Sequence, residues 1–333
     1  MKYRPLGRTG VQVSELTLGS MLFDTSTASG LIDQALDAGV NALDTANVYG
    51  QGESERALGA ALAKNGRRDQ IVLSSKFHVR VGDDPNAAGS SRRHIVDQVD
   101  KSLQRLGVDH LDIYYIHRPT TEVPIDETLR ALDDLVTAGK ILYVGTSGFA
   151  AWQLLESLWA AKEHHLARPV VEQTAYSLVD RRPERELLPM AQTYGVGVTI
   201  WSPLAGGLLT GKYRAGVAPD ARFDPAKDDE WTRKHFTPAA DAVVDGLIEL
   251  AKVKDCTPTQ LALAWLLSRP GVSSVVLGAR NSAQLTEQLA AADVELTEED
   301  LGAVDALVAP GRATVPYFLD DSYADFRPHL HRW

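Results

Sequence analysis

The chain has a single cysteine, Cys256, among its 333 residues. One thiol excludes an internal disulfide framework and suits a reducing cytosol, so a cytoplasmic location is expected. No apolar run reaches the ~18 residues that a membrane span needs. The N-terminal Met-Lys-Tyr-Arg-Pro-Leu-Gly lacks the apolar core of a signal peptide, and no membrane partner is expected. Positive charge is also scarce. Lys and Arg number 34 against 44 Asp and Glu, a formal net charge of −10. That balance argues against nucleic acid as a partner, while leaving room for a local basic pocket. No His/Cys cluster has metal-ligand spacing, so no metal is expected. No Gly-x-Gly-x-x-Gly turn stands between a strand and a helix, so a Rossmann-type nucleotide site is not expected either.

What the chain does have is a globular composition, 44% hydrophobic and 23% charged. Its length fits a (β/α)8 barrel with insertions. Tyr3 to Val13, with Gly7-Arg8-Thr9-Gly10 in its middle, reads as a small hairpin. From Leu16–Ser20 onward a rhythm of apolar strand, striped helix and glycine repeats. Leu31, Ile32, Ala35 and Leu36 stripe one helix, stopped by Gly39. Ile95, Val99, Leu103 and Leu106 stripe another, stopped by Gly107. Ile125, Leu129, Leu132 and Leu135 stripe a third, stopped by Gly139. Glycine ends a helix cheaply because it accepts the left-handed conformation. The intervening strands are apolar almost throughout, as a parallel sheet buried on both faces requires. Ile141–Ser147, Val170–Ser177, Gly197–Pro203 and Val272–Ala279 complete the set. A short helix is expected from Pro183 to Gly195. Leu204–Pro238 breaks the rhythm as a long glycine-bearing loop after the seventh strand, of the kind that is usually functional. Helix resumes near Ala239. Thr257, Pro258 and Gln260 then form a capping box with proline at the first helical position. Thr297–Leu307 reads as one further helix. No linker or low-complexity tract interrupts the chain. The expectation is one α/β domain over 1–333, an eight-stranded parallel barrel plugged by the N-terminal hairpin.

The chemistry-bearing residues fall at strand ends. Ala42–Gly50 brings Asp44 to the end of a strand and Tyr49 onto the following loop. Ile71–Phe77 delivers Lys76, and Leu111–His117 delivers His117. In a parallel barrel the C-terminal rim is where chemistry is done. A phenol titrates near 10, and a nearby ammonium favours the phenolate and lowers that value. Asp44 would neutralise and orient Lys76, Tyr49 would serve as general acid, and His117 would meet the substrate oxygen. Two other readings stay open. Asp44 and Lys76 can form a purely structural ion pair with Tyr49 as a rim residue. Lys76 can also form a Schiff base with a carbonyl, as barrel lyases do. Phosphate in a barrel is usually held by the loops after strands seven and eight. Here Leu204–Tyr213 is glycine-rich and contains Lys212, and Gly278-Ala279-Arg280-Asn281 precedes a helix N-terminus, which favours anions.

Several stretches together resemble the aldo-keto reductases over nearly the whole length. They are Asp44-Thr45-Ala46-Asn47-Val48-Tyr49-Gly50, Ser75-Lys76, Ile116-His117-Arg118-Pro119, Gly145-Thr146-Ser147 and Glu172-Gln173-Thr174-Ala175-Tyr176-Ser177. Trp201-Ser202-Pro203-Leu204 through Gly211-Lys212-Tyr213 adds another, as does Gly278-Ala279-Arg280-Asn281 through Gln284, Glu287 and Gln288. The short Arg118–Pro124 loop is more similar to the bacterial reductases and potassium-channel β-subunits. The resemblance implies NADPH-dependent reduction of a small-molecule carbonyl by a tetrad of Asp44, Tyr49, Lys76 and His117. It implies that Ser147 and Gln173 hold the carboxamide and that Trp201 stacks on the nicotinamide. Ser202, Leu204, Gly206 and Lys212 would follow the pyrophosphate. Gly278, Arg280, Gln284, Glu287 and Gln288 would hold the adenosine end. It equally allows a non-catalytic NADPH-binding module, and it is compatible with a homo-oligomer. Two departures stand out. Gly148 replaces the family's usual asparagine, and Gly278 stands where many members carry lysine, which leaves the 2′-phosphate to Arg280. Substrate-pocket candidates are Met21, Phe23, His78, Arg118, Phe149, Trp231, Phe236 and the aromatic tail, with the His78–Ser91 loop as part of the wall.

Overall fold

The computed structural model describes residues 1–23, 26–215 and 235–315. Gly216, Trp231 and the tail residues Tyr317, Phe318, Tyr323, Phe326, His329, His331 and Trp333 lie outside the described residues. Strands β1 (Tyr3–Pro5) and β2 (Gln12–Ser14) pair antiparallel. The barrel strands are β3 (Leu16–Gly19), β4 (Ala42–Asp44), β5 (Val72–Phe77), β6 (Leu111–Ile116), β7 (Ile141–Ser147), β8 (Pro169–Ala175), β9 (Gly197–Trp201) and β10 (Val272–Leu277). They follow one another around a closed barrel in chain order, each parallel to its neighbours, and β10 closes on β3. The chain is thus a (β/α)8 barrel with an N-terminal hairpin and a long connection after its seventh barrel strand.

Helices α1 (Ala28–Asp37), α2 (Glu53–Asn65), α3 (Arg92–Leu106), α4 (Ile125–Thr137), α5 (Ala151–Glu163) and α6 (Leu187–Tyr194) alternate with the strands. After β9 come α7 (Pro238–Val253) and α8 (Pro258–Leu267). After β10 come α9 (Ser282–Leu289) and α10 (Glu298–Leu307). The stripes read from the sequence are the buried faces: Leu31, Ile32, Ala35 and Leu36 on α1, and Ile95, Val99 and Leu106 on α3. The capping box at Thr257 and Gln260 starts α8 as expected. The segment after Pro183 differs. Arg182–Glu184 is a single 3-10 turn, and the helix proper begins at Leu187. Strands β8 and β9 also stop short of the expected ends, at Ala175 and Trp201, which form the last pair of their shared ladder. No described helix is long and apolar enough to cross a membrane.

The hairpin seals the N-terminal end of the barrel. Leu6 and Val13 pack with Ala42, Ile113, Tyr115, Val170 and Val171 in a separate apolar cluster. Gly7 carries φ 56, and a Cβ there would lie 2.7 Å from the Gly197 nitrogen and 2.8 Å from the Val170 oxygen. Only glycine lets the hairpin turn press this close to the bottom of β8 and β9. Arg4 ties the hairpin to the barrel by donating to the Val272 carbonyl at 3.0 Å and pairing with Glu15 at 2.8 Å. With the bottom closed, access to the interior is from the C-terminal rim.

The rim loop between β4 and α2 depends on how α2 seats. Gly59 faces the end of α3, where a Cβ would stand 2.4 Å from the Leu106 carbonyl oxygen. Backbone cannot yield as a flexible side chain would. Gly59→Ala should therefore destabilise the fold by about 1–3 kcal/mol through overpacking, despite alanine's better helix propensity. Thermal unfolding of the two proteins checks this, with a lower midpoint expected for the variant.

Candidate active site

Parallel strands all present the same end to one rim, and that rim carries the four tetrad candidates. Asp44 is the last residue of β4, Lys76 the penultimate residue of β5, and His117 follows directly on β6. Register does the rest. Lys76 is opposite Tyr115 on β6, and the His117 N–H donates to the Phe77 carbonyl at 3.0 Å. Beyond Asp44, the Asn47 N–H donates to the Lys76 carbonyl at 3.1 Å, which curls the loop back over β5. Tyr49 then opens a short 3-10 turn, Tyr49–Gly52.

Lys76 is wholly buried. Its ammonium donates to Asp44 Oδ2 at 2.5 Å and to the Thr45 carbonyl at 2.8 Å. The other carboxylate oxygen, Asp44 Oδ1, accepts from Ser74 Oγ and from Gln173 Nε2, both at 2.9 Å. The ammonium also lies 5.3 Å from the centre of the Tyr49 ring. His117 meets Tyr49 edge to face, centroids 5.8 Å apart at 83°.

Charge states follow from this packing. Burial pulls the Lys76 amine down, but the Asp44 charge, the Tyr49 phenol and their hydrogen bonds outweigh it, so its pKa is raised and it stays an ammonium. For Tyr49 the balance runs against the sequence expectation. Burial raises its pKa more than Lys76 lowers it, Asp44 adds to the rise, and the phenol is a neutral proton donor at neutral pH. His117 is held well below its ordinary range by burial and by the positive charges of Lys76 and Arg118, so it is a neutral imidazole. Its Nδ1 is buried without a hydrogen-bond partner among the described residues.

These groups stand at a cavity of about 640 Å³. Asp44, Tyr49, His117, Ser147, Gln173, Trp201, Ser202, Leu204, Gly206, Lys212, Gly278, Arg280, Gln284, Glu287 and Gln288 all line it. Lys76 does not; it lies behind Asp44 and Tyr49. Ser147 Oγ donates to the Gln173 carbonyl at 2.9 Å, joining β7 to β8 at the rim. The Arg280 N–H donates to Gln284 Oε1 at 3.0 Å, while Asn281 caps α9 by accepting from the Gln284 N–H. Gln288 Oε1 is buried and has no partner among the described residues.

The pocket candidates divide. Met21 and Arg118 line the cavity. Phe23, His78 and Phe236 do not, and the residues beside them, Leu22, Val79 and His235, do instead. Phe149 is packed into the core. His78, expected in the wall, takes φ 110 and does not line the cavity, with burial holding its pKa down at about 4. One residue that sequence reasoning passed over is Glu172. It is fully buried on β8 and accepts from Thr146 Oγ1 at 2.5 Å and from the Phe149 N–H at 3.1 Å. Burial pushes its carboxyl up to about 8 against those hydrogen bonds. The one ionisable residue in a strand buried almost throughout was the available signal.

With this geometry established, comparison with known proteins is informative. The sequence profile of the aldo/keto reductase family matches residues 15–309. The chain belongs to the aldo/keto reductase family. It is 39% identical over 318 residues to a probable voltage-gated potassium channel subunit beta of Oryza sativa subsp. japonica, covering 92% of this chain and 97% of that one. It is 39% identical over 302 residues to a protein of the same description from Arabidopsis thaliana, covering 88% and 92%. It is 36% identical over 329 residues to the uncharacterized oxidoreductase YrpG of Bacillus subtilis, covering 94% and 98%. Family and relatives support an oxidoreductase.

Glu172 gives this aldo/keto reductase a pH dependence of stability with a definite sign. Its folded pKa, about 8, lies above the 4.5 of a free carboxyl. Between those values the folded state keeps a proton that the unfolded state has lost, so stability falls as pH rises from about 4.5 to 8. Glu172→Gln removes the titration. Thermal midpoints recorded from pH 5 to pH 8 should decline less steeply in the variant than in the parent protein.

Proposed function

We propose that this chain is an NADPH-dependent reductase that converts a small aldehyde or ketone to the alcohol, with residues 1–333 working as one domain in the cytoplasm. One observation carries the reading. A neutral phenol, a buried ammonium–carboxylate pair and a neutral imidazole meet at a cavity that also takes in Lys212 and Arg280 from the loops after β9 and β10. The donor set suits a phosphorylated dinucleotide. Ser147 and Gln173 offer a hydroxyl and an amide beside Asp44 for a carboxamide, and Trp201 offers a flat indole. Ser202, Leu204, Gly206 and Lys212 would follow the pyrophosphate, with Arg280 at the 2′-phosphate. Gln288 Oε1, a buried acceptor with no partner among the described residues, suits an exocyclic amine. Gly278, Gln284 and Glu287 would complete the adenosine end.

When bound, NADPH supplies the hydride that reaches the carbonyl carbon. The chain's part is the proton. Tyr49 Oη releases it to the carbonyl oxygen, and the phenolate left behind faces the Lys76 ammonium. Asp44 holds that ammonium in place. His117, being neutral, can donate a hydrogen bond to the same oxygen and stabilise the charge that develops there. The raised Tyr49 pKa fits this order of events, since the proton must be present before hydride arrives.

The Schiff-base reading is weakened by the state of Lys76, which is a charged, buried ammonium outside the cavity lining rather than a free amine. The names of the plant relatives, probable voltage-gated potassium channel beta subunits, favour a second reading, a channel subunit; this chain would then be the non-catalytic NADPH-binding module. Steady NADPH consumption across a panel of aldehydes separates the two, because a purely regulatory subunit would show none.

Two variants test the assignment. Tyr49→Phe keeps the ring and removes the proton donor, so NADPH binding should persist while reduction falls by roughly 10²–10⁴-fold. Wild-type turnover in that variant would refute the mechanism. For the cofactor, a charged hydrogen-bonded pair between Arg280 and the 2′-phosphate, about 1.5–3 kcal/mol, predicts roughly 10–150-fold preference for NADPH over NADH. Arg280→Ala should erase most of that preference and leave NADH affinity nearly unchanged in fluorescence titrations. A variant that still strongly prefers NADPH would move the phosphate contact to Lys212 or another loop cation.

A further inference from the structure

Strands β7 and β8 end in register, Thr146 beside Glu172 and Ser147 beside Gln173. Successive residues of a strand face opposite ways. Ser147 and Gln173 line the cavity, so Thr146 and Glu172 point to the helix side. There the Glu172 carboxyl brackets Ser147. One oxygen accepts from Thr146 Oγ1, just before it, and the other from the Phe149 N–H, two residues after it. The segment in between is tied to β8 at one further point, the Gln173 carbonyl. Gly148 takes φ 69 and brings no side chain, and its N–H donates to the Gln173 carbonyl at 3.0 Å. The same carbonyl accepts from Ser147 Oγ at 2.9 Å.

Glu172 is also costly. Burying an ionisable carboxyl among apolar neighbours disfavours the fold unless its oxygens are matched to donors. An apolar side chain would fill the space without that cost but would release both donors. The proton transfer described above makes no use of Glu172, so its worth lies in what the two oxygens hold.

We propose that Glu172 is a positioning residue for the nicotinamide end of the site: by bracketing Ser147 across Gly148 it presets the Ser147 hydroxyl beside the Gln173 amide, which Asp44 holds. The inference rests on the reading of those two residues as carboxamide contacts. A preset pair spares the cofactor the work of ordering the turn, so loss of the bracket weakens only ligands that carry the nicotinamide.

The test is a pair of titrations on the full chain, with NADPH and with adenosine 2′,5′-bisphosphate, which has the 2′-phosphate but no nicotinamide. Glu172→Leu should bind NADPH roughly tenfold more weakly, the scale of one or two lost hydrogen bonds, and adenosine 2′,5′-bisphosphate unchanged. Glu172→Gln should recover most of the affinity, because its amide oxygen can accept from the Phe149 N–H while its NH2 donates to the Thr146 hydroxyl. If Glu172→Leu does not fold, Thr146→Val removes one bracket bond alone and must show the same selective loss. NADPH affinity unchanged in the folded variant, or equal loss of both ligands, overturns the proposal. Folded wild-type protein that binds adenosine 2′,5′-bisphosphate but gains nothing from the nicotinamide half overturns the carboxamide reading, and the proposal falls with it.

Discussion

The Asp44–Lys76 ion pair is the constraint on which the site depends. Two charges taken out of water lose several kcal/mol of hydration each, and only close geometry with every remaining lone pair and proton matched offsets that loss. The matching is complete enough to say which elements it locks. Asp44 comes from β4, Lys76 and Ser74 from β5, Gln173 from β8, and the Thr45 carbonyl from the loop that leads to Tyr49. The carboxylate therefore bridges the barrel interior from β4 and β5 to β8. Removing either charge alone would leave the other buried and uncompensated, a loss of about 3–5 kcal/mol.

A second polar network holds the same elements from outside. Ser75, one residue before Lys76 and facing the opposite way, donates to Glu55 Oε1 at 2.6 Å. Glu55 is fully buried in the first turn of α2 and also accepts from Arg105 Nε of α3 at 2.5 Å. Asn47, between Asp44 and Tyr49, donates its side-chain amide to Gln98 of α3 at 2.8 Å. The Tyr49 loop is thus clamped between a charge pair inside the barrel and an ion pair in the helix layer. Asn47 Oδ1 alone of these groups has no partner among the described residues; buried polar networks rigidify as their bonds are made, and rigidity is what a proton donor needs if its Oη is to meet a substrate oxygen at one position.

Burial and pairing together set different charge states within a few ångströms. Lys76 remains charged because Asp44 lies against it, whereas Tyr49 and His117, without a carboxylate of their own, are driven to their neutral forms. One cation beside two neutral donors gives a site that can hand over a proton and tolerate the phenolate that results.

The barrel was legible because its signals are local. Strand-long apolar runs, helical stripes and helix-ending glycines lie within short windows, and the strand-end positions of Asp44, Lys76 and His117 follow from where each run stops. The substrate wall was less legible. Phe23, His78 and Phe236 each proved to be one residue away from a lining neighbour, since irregular loops have no period from which side-chain direction can be read. Phe149 was misread for the same reason, at the turn that follows β7. What the sequence by itself determined was therefore the order of elements, the family motifs and the residue types available at the rim. What only the tertiary structure decided was who meets whom: the withdrawal of Lys76 behind Asp44, the bond from Gln173 to Asp44 across 129 residues, and the net rise in the Tyr49 pKa. Those depend on distance and desolvation, which exist only once the barrel has closed and brought remote strands into register.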